Sequence, residues 1–252
     1  MSKIAVISGA ASGIGNCLAV KMKERGVRVF GIDINKVNIK GITAFKCDVS
    51  DETQVVSSIN EIGASVDRID YLLNVAGIFC CANRYYIEDL PSSEWDRVMD
   101  VNLKGTFLLT KYLIPFIRKS QCGNIINFSS EQVVLPQTRS APYVITKAAI
   151  EMLTRVTALE LMDAKIRVNT VALASVHTNF LKSYKNDDAL INGMMLKSDQ
   201  SMPFGLITPE DIFELVWYLL SDSNKMTGQT VLIDSGIILR KQKIGSEDAL
   251  YG

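Results

Sequence analysis

Histidine is almost missing from this chain, His177 being the sole example, and cysteine is sparse. The five cysteines are an odd number without C-x-x-C spacing, which argues against a disulfide framework and a zinc site. Adjacent Cys80 and Cys81 read as reduced thiols. Excess charge is absent too: 27 Lys+Arg against 27 Asp+Glu leave a net charge of zero. That removes the usual electrostatic case for nucleic acid or an anionic membrane as partner. No apolar run approaches the roughly 18 residues that a membrane span needs. Met1-Ser2-Lys3 leads into a short apolar stretch ended by Ser8-Gly9, too brief for a secretory signal. Disorder is excluded by the balanced charge and by 48% hydrophobic residues. The expectation is a cytoplasmic globular protein with a small-molecule ligand. At 252 residues a single α/β domain is a common solution.

What is present is an alternation of short β-branched runs with longer helical patterns. Strands are expected at Lys3–Ile7, Val27–Ile32, Ile42–Cys47, Ile69–Asn74, Asn124–Phe128, Ile166–Ala172 and Thr230–Ile233. Helices are expected at Gly13–Arg25, Asp51–Val66, Glu94–Lys119, Pro142–Met162 and Pro209–Leu220. Pro115 suggests a bend or late break in the third, and Thr208 with Pro209 would cap and start the last. Nearly continuous apolar strands imply a sheet covered on both faces. The fold class is therefore α/β, a doubly wound, mostly parallel Rossmann-like sheet with helices on both faces. With no repeat or linker, residues 1–252 read as one domain. Residues 178–207 form a long connection of the kind that serves as a substrate lid, and residues 240–252 a polar tail.

After the first strand comes Ser8-Gly9-Ala10-Ala11-Ser12-Gly13-Ile14-Gly15. Glycines there let backbone N–H groups approach a pyrophosphate, with the helix N-terminus aimed at the anion. Alone, the G-x-x-x-G-x-G spacing also fits an ordinary βα turn. Asp33 ends the second strand, where a carboxylate binds both hydroxyls of an adenosine ribose and repels a 2′-phosphate. It favours NAD over its phosphorylated relative. Asp48-Val49 follows the third strand, where an Asp suits the adenine amino group. Asn74-Val75-Ala76-Gly77 follows the fourth, where small residues let backbone lie against a cofactor.

Tyr143 and Lys147 stand at i, i+4 and so share a helix face. Without context that pair reads first as a solvated surface contact. Ser129-Ser130 closes the preceding strand, however, and Asn102 in Val101-Asn102-Leu103-Lys104-Gly105 lies within the long helix before it. A mid-helix Asn ordinarily faces solvent or bonds its own backbone.

These motifs, in this order from Lys3 to Gly236, resemble the short-chain dehydrogenase/reductase family in its compact single-domain branch. The resemblance implies a seven-stranded sheet and an Asn102–Ser130–Tyr143–Lys147 tetrad. It also implies a homotetramer or homodimer built on the two long helices. In that setting Tyr143 is the acid/base, its phenol needing a neighbouring cation because an unperturbed pKa of about 10 is too high. Lys147 supplies that cation and bonds the nicotinamide ribose, Ser130 polarises the substrate oxygen, and Asn102 positions a water. The chemistry calls for no metal. Gly9, Ser12, Gly13, Ile14, Gly15, Asp33, Asp48, Val49, Asn74, Ala76, Gly77, Val176 and Thr178, with Tyr143 and Lys147, would hold NAD.

Departures are as informative. Leu173-Ala174 replace the family's usual Pro-Gly after the sixth strand, so the turn loses a fixed φ and an easy positive φ. Val75 replaces a second Asn, Val133 stands where glycine is common, and Asp234-Ser235-Gly236 replaces Asp-Gly-Gly. Glu131, Gln132 and His177 are candidate substrate contacts, and Phe79, Leu173, Phe180, Met195 and Met202 candidate apolar lining. His177, with no carboxylate or cysteine at ligand spacing, reads first as a plain loop residue. The function expected is NAD-dependent interconversion of a secondary alcohol and a ketone on a mid-sized neutral substrate. The alternative is a dinucleotide sensor on the same fold.

Overall fold

A computed structural model describes residues 2–79, 85–178 and 202–240. The strands are β1 (Ile4–Ser8), β2 (Arg28–Asp33), β3 (Thr43–Lys46), β4 (Tyr71–Asn74), β5 (Asn124–Ser130), β6 (Arg167–Leu173) and β7 (Thr230–Ile233). They form one sheet in the order β3-β2-β1-β4-β5-β6-β7, every neighbouring pair parallel. The helices are α1 (Gly13–Glu24), α2 (Glu52–Gly63), α3 (Ser92–Val98), α4 (Gly105–Ile117), α5 (Ala141–Glu160) and α6 (Pro209–Leu220). None of the described helices is long and apolar enough to cross a membrane.

Side chains alternate along each strand, so each apolar strand feeds two cores. Ala5, Ile7, Leu73, Ile126 and Val171 join Leu18 and Met22 of α1 and Phe213 and Val216 of α6 on one face. Ile4, Val6, Leu72, Ile125 and Val168 join Ile59 of α2 and Leu109 and Leu113 of α4 on the other. This double burial is why the strands read as unbroken apolar runs. Asp51 caps α2 by accepting the Thr53 and Gln54 N–H groups, and Thr208 with Asp211 forms a reciprocal capping box on α6.

Strand and helix limits fall within a residue or three of the expected ones, except in the long helix. That stretch is α3 and α4 joined by a π-helical segment, Met99–Lys104. Pro115 lies in the last turn of α4, where it removes one i→i−4 bond without ending the helix, and the irregularity sits upstream at Asn102. The order of strands reverses between β1 and β4, the crevice where open α/β sheets bind ligands.

Of the lid and tail, residues 179–201 and 241–252 lie outside the described residues, and with them Phe180 and Met195. Cys80 and Cys81 also lie outside. At the lid's far end Met202 is buried in the core, and Ile207 forms a parallel bridge with Val176.

Candidate active site

At the crevice the glycine loop has no room for side chains. Gly9 and Gly13 take positive φ of 71° and 53°, a region costly for most residues. A Cβ on Gly15 would stand 2.2 Å from the Gly9 carbonyl oxygen, and one on Gly9 would stand 3.0 Å from the Ala76 nitrogen. The loop thus lies backbone against backbone on the segment after β4. Ser12 precedes α1 in extended conformation and, unlike Asp51 and Thr208, makes no side-chain cap. The first turn, Gly13-Ile14-Gly15, keeps its N–H groups for an anion.

Asp33 is 9% exposed at the end of β2. Its Oδ2 accepts the Ala11 N–H at 3.0 Å and its Oδ1 the Asn35 N–H at 2.8 Å, which hold the carboxylate beside the glycine loop. Asp48 is half-buried, its Oδ1 accepting both the N–H and the hydroxyl of Ser50 at 2.9 and 2.7 Å. Val49 is buried against Gly105, where a Cβ would approach Val49 Cγ2 to 2.7 Å. These features fit a dinucleotide: a pyrophosphate at α1 and a ribose at Asp33.

Asn74 is placed differently from the small residues that follow it. Its side chain points into a buried ladder, Nδ2 donating to Thr110 Oγ1 at 3.1 Å and to Asn127 Oδ1 at 2.8 Å. Asn127 donates on to Thr154, which meets Thr170 of β6 at 2.7 Å. Ala76 and Gly77 form the surface above. A Cβ on Gly77 would lie 3.3 Å from Asn102 Oδ1 and 3.6 Å from Lys147 Nζ, so this glycine brings two predicted tetrad members together.

The tetrad gathers at the ends of β4 and β5. Asn102 is fully buried, contrary to the habit of a mid-helix Asn. The π-helical segment turns it toward Ile78, whose N–H it accepts at 2.7 Å and whose carbonyl it bonds at 2.9 Å. Its Nδ2 also donates to Thr146 Oγ1 on α5 at 3.2 Å. Lys147 Nζ donates to the Phe128 carbonyl oxygen at 2.9 Å and lies 5.6 Å from the Tyr143 ring centre. Burial pushes the Lys147 ammonium down to about 8. Tyr143 is half-buried, its ring tilted against Phe79 with centres 4.6 Å apart. Ser130, 3% exposed, donates to Glu131 Oε2 at 2.8 Å and accepts the Gln132 N–H at 3.2 Å. Glu131 and Gln132 are each 8% exposed, in a 3-10 turn that continues β5.

The turn after β6 needs no glycine. Leu173 still pairs with Ile233, and the Ala174 N–H donates to the Ile233 carbonyl at 3.1 Å. Ala174 is not among the residues with positive φ. Leu173 and Ala174 are buried in the core with Ile237 and Ile238, so β6 runs straight on. The His177 N–H donates to the Ile207 carbonyl at 2.8 Å, while its side chain is exposed. A Cβ on Gly13 would sit 3.6 Å from Thr178 Cβ, which brings the post-β6 turn over the glycine loop. Further on, Ser235 adopts φ of 51° in place of a glycine, its hydroxyl donating to the Gly205 carbonyl at 2.7 Å.

One structural residue escapes the sequence motifs. Ser8 Oγ accepts the N–H groups of Val75 and Ala76, each at 3.0 Å, and so fixes the floor of the crevice. A serine ending an apolar strand is a weak signal, because strands often end on polar residues.

A glycine-lined crevice with a buried carboxylate at its edge, beside a buried lysine, a half-buried tyrosine and a serine, fits a nicotinamide dinucleotide oxidoreductase site. The sequence model of the enoyl-(acyl carrier protein) reductase family matches residues 9–238. The chain is 34% identical to the mitochondrial borneol dehydrogenase of Lavandula x intermedia over 247 residues, covering 95% of this chain and 92% of that one. It is 30% identical to the NAD-dependent glycerol dehydrogenase of Listeria innocua, covering 94% of each. Among solved structures, the aldohexose dehydrogenase of Thermoplasma acidophilum superposes with a TM-score of 0.87 at 27% identity, covering 94% of each chain. The 3-ketoacyl-(acyl-carrier-protein) reductase of Brucella melitensis, complexed with NADH, gives 0.83 at 29%, covering 93% of this chain and 98% of that one. The chain belongs to the short-chain dehydrogenase/reductase family. It is an oxidoreductase acting between CH–OH and C=O groups.

Proposed function

We propose that the protein is an NAD-dependent dehydrogenase that interconverts a neutral secondary alcohol and its ketone. The observation that carries this reading is the buried Lys147 beside Tyr143, next to a serine hydroxyl at the end of β5. Bound nicotinamide would accept or return the hydride. Gly9 and the N–H groups of Gly13, Ile14 and Gly15 would bind the pyrophosphate, with Ser12, Ala76 and Gly77 lining it. Asp33 would hold the adenosine ribose, Asp48 and Val49 the adenine, and Val176 and Thr178 the carboxamide end. Lys147 would bond the nicotinamide ribose and, as a cation, favour the Tyr143 phenolate. That phenolate takes the alcohol proton, and Tyr143 as phenol returns it in the reverse direction. Ser130 would hold the substrate oxygen, and Asn102 would support the loop at Ile78 and a water beyond Lys147. Glu131, Gln132 and His177 remain the proposed substrate contacts. Several relatives are named for alcohols or sugars, which agrees with this substrate class.

Tyr143→Phe is expected to lower turnover by at least about a thousandfold, the scale of losing a general acid/base, with NADH binding retained. Unchanged turnover in that variant would refute the mechanism. For the cofactor, NADH should bind more tightly than NADPH in fluorescence titrations, because a 2′-phosphate would meet the Asp33 carboxylate. Tighter NADPH binding would overturn that assignment.

A further inference from the structure

At the end of the sheet opposite the crevice, Lys3 stands just before β1 and Cys122 just before β5, with β4 between those strands. Lys3 Nζ lies 2.6 Å from Cys122 Sγ. Hydrogen bonds from nitrogen to oxygen run about 2.7–3.2 Å, and sulfur is the larger atom, so this approach is closer than a hydrogen bond. It is the span of two atoms joined through a third, since two single bonds of about 1.5 Å at about 111° reach about 2.5 Å. The surroundings hold the pair in place. Asp70, 1% exposed, accepts the Ser120 hydroxyl at 2.6 Å and the Cys122 thiol at 3.5 Å on Oδ1, and the Ile4 N–H at 2.8 Å on Oδ2. One buried carboxylate thus anchors the residue after Lys3 and the side chain of Cys122. Both members of the pair are partly exposed, so a small reagent can reach them. The other described cysteines sit differently: Cys17 faces the Glu210 carboxylate at 3.7 Å, and Cys47 is buried with its thiol on the Asp48 carbonyl.

We propose that Lys3 and Cys122 are a modification site, an oxidation-sensitive pair that hydrogen peroxide joins through a single oxygen atom as Sγ–O–Nζ. Two peroxides are consumed. The first gives an oxygen to sulfur: its O–O bond breaks, an S–O bond forms, and water leaves behind a sulfenic acid. Lys3 releases its ammonium proton to solvent and, as the free amine, forms an N–O bond to that oxygen. The sulfenic hydrogen, one amine hydrogen and two electrons then reduce the second peroxide to two waters. Two equivalents of a dithiol reverse the change, returning thiol and amine with one water and two cyclic disulfides. The link would join positions 119 apart in the chain and staple β1 to β5 across β4. A crosslink closing so long a loop stabilises the fold chiefly by restricting the unfolded chain.

The test treats the full chain with hydrogen peroxide and follows peptide masses and thermal unfolding. The peptides of Lys3 and Cys122 should appear joined, the product weighing one oxygen more and two hydrogens less than its two parts together. The melting temperature should rise by about 5–15 °C, and dithiothreitol should reverse both changes. Cys122→Ser and Lys3→Arg should each abolish the joined peptide, and Lys3→Arg should leave Cys122 to take up oxygen alone. Oxidation of wild-type Cys122 to sulfenic or sulfinic acid with Lys3 still free would overturn the proposal. So would a Cys122 that peroxide leaves untouched, or a joined peptide that lacks the added oxygen or survives in Lys3→Arg.

Discussion

Lys147, the cation in the proposed mechanism, is held by burial close to losing its charge. Its pKa in the folded chain, about 8, lies below the ordinary 10.5, with desolvation as the cause. Between those values the unfolded chain binds the proton that the folded chain has released. Stability attributable to this residue thus rises with pH through that window, and below it the cost of the buried charge is present in full. In protein labelled with ¹³C at lysine Cε, one resonance should titrate with a midpoint near 8 and vanish in Lys147→Arg. If every lysine resonance titrates near 10.5, the buried ammonium assigned here is wrong. In the proposed mechanism the same burial strengthens Lys147's action on Tyr143, because a charge shielded from water acts strongly on a ring 5.6 Å away.

Among the elements, the β1–α1 turn is the least tolerant of change. Gly15→Ala would drive a methyl group into the Gly9 carbonyl, 2.2 Å from the added Cβ, so the loop must move. NADH affinity should fall at least tenfold, and calorimetric titration showing wild-type affinity would dismiss the close approach. This turn was legible in the sequence because glycine spacing and steric need coincide. Strand and helix order was legible for a related reason, since double burial leaves an apolar signature at β1, β2, β4, β5 and β6. The π-helical segment was not legible: nothing in Met99–Lys104 departs from helical composition, and the bonds that accompany it join Asn102 to Ile78, 24 positions away. Asn74 escaped reading in the same way. Its place at the end of β4 suggested a cofactor contact, but its Nδ2 is bonded to Thr110 and Asn127, on elements much later in the chain. Leu173-Ala174, a departure that suggested a rerouted turn, keeps the backbone paired with Ile233.

On the scale of the whole molecule, an apolar stripe marks the outer face of α5. Ile145, Met152, Val156 and Leu159 recur at helical spacing and are 41%, 55%, 46% and 70% exposed. Such a stripe on a charge-neutral chain is poorly suited to water. We propose that a second copy covers it, in keeping with the homo-oligomer expected from the family. Val156→Glu should shift sedimentation toward a smaller species, whereas a wild type that sediments as a monomer would refute the contact. The crevice, by contrast, is closed from within by one hydroxyl. Ser8 of β1 receives the Val75 and Ala76 N–H groups just beyond β4, at the seam where the two halves of the sheet diverge. A dinucleotide lying across that seam would touch chain from both halves, and whatever it gains by binding it lends to their union. The catalyst and the brace are then one object: a cell starved of cofactor would hold a protein less active and also easier to unfold.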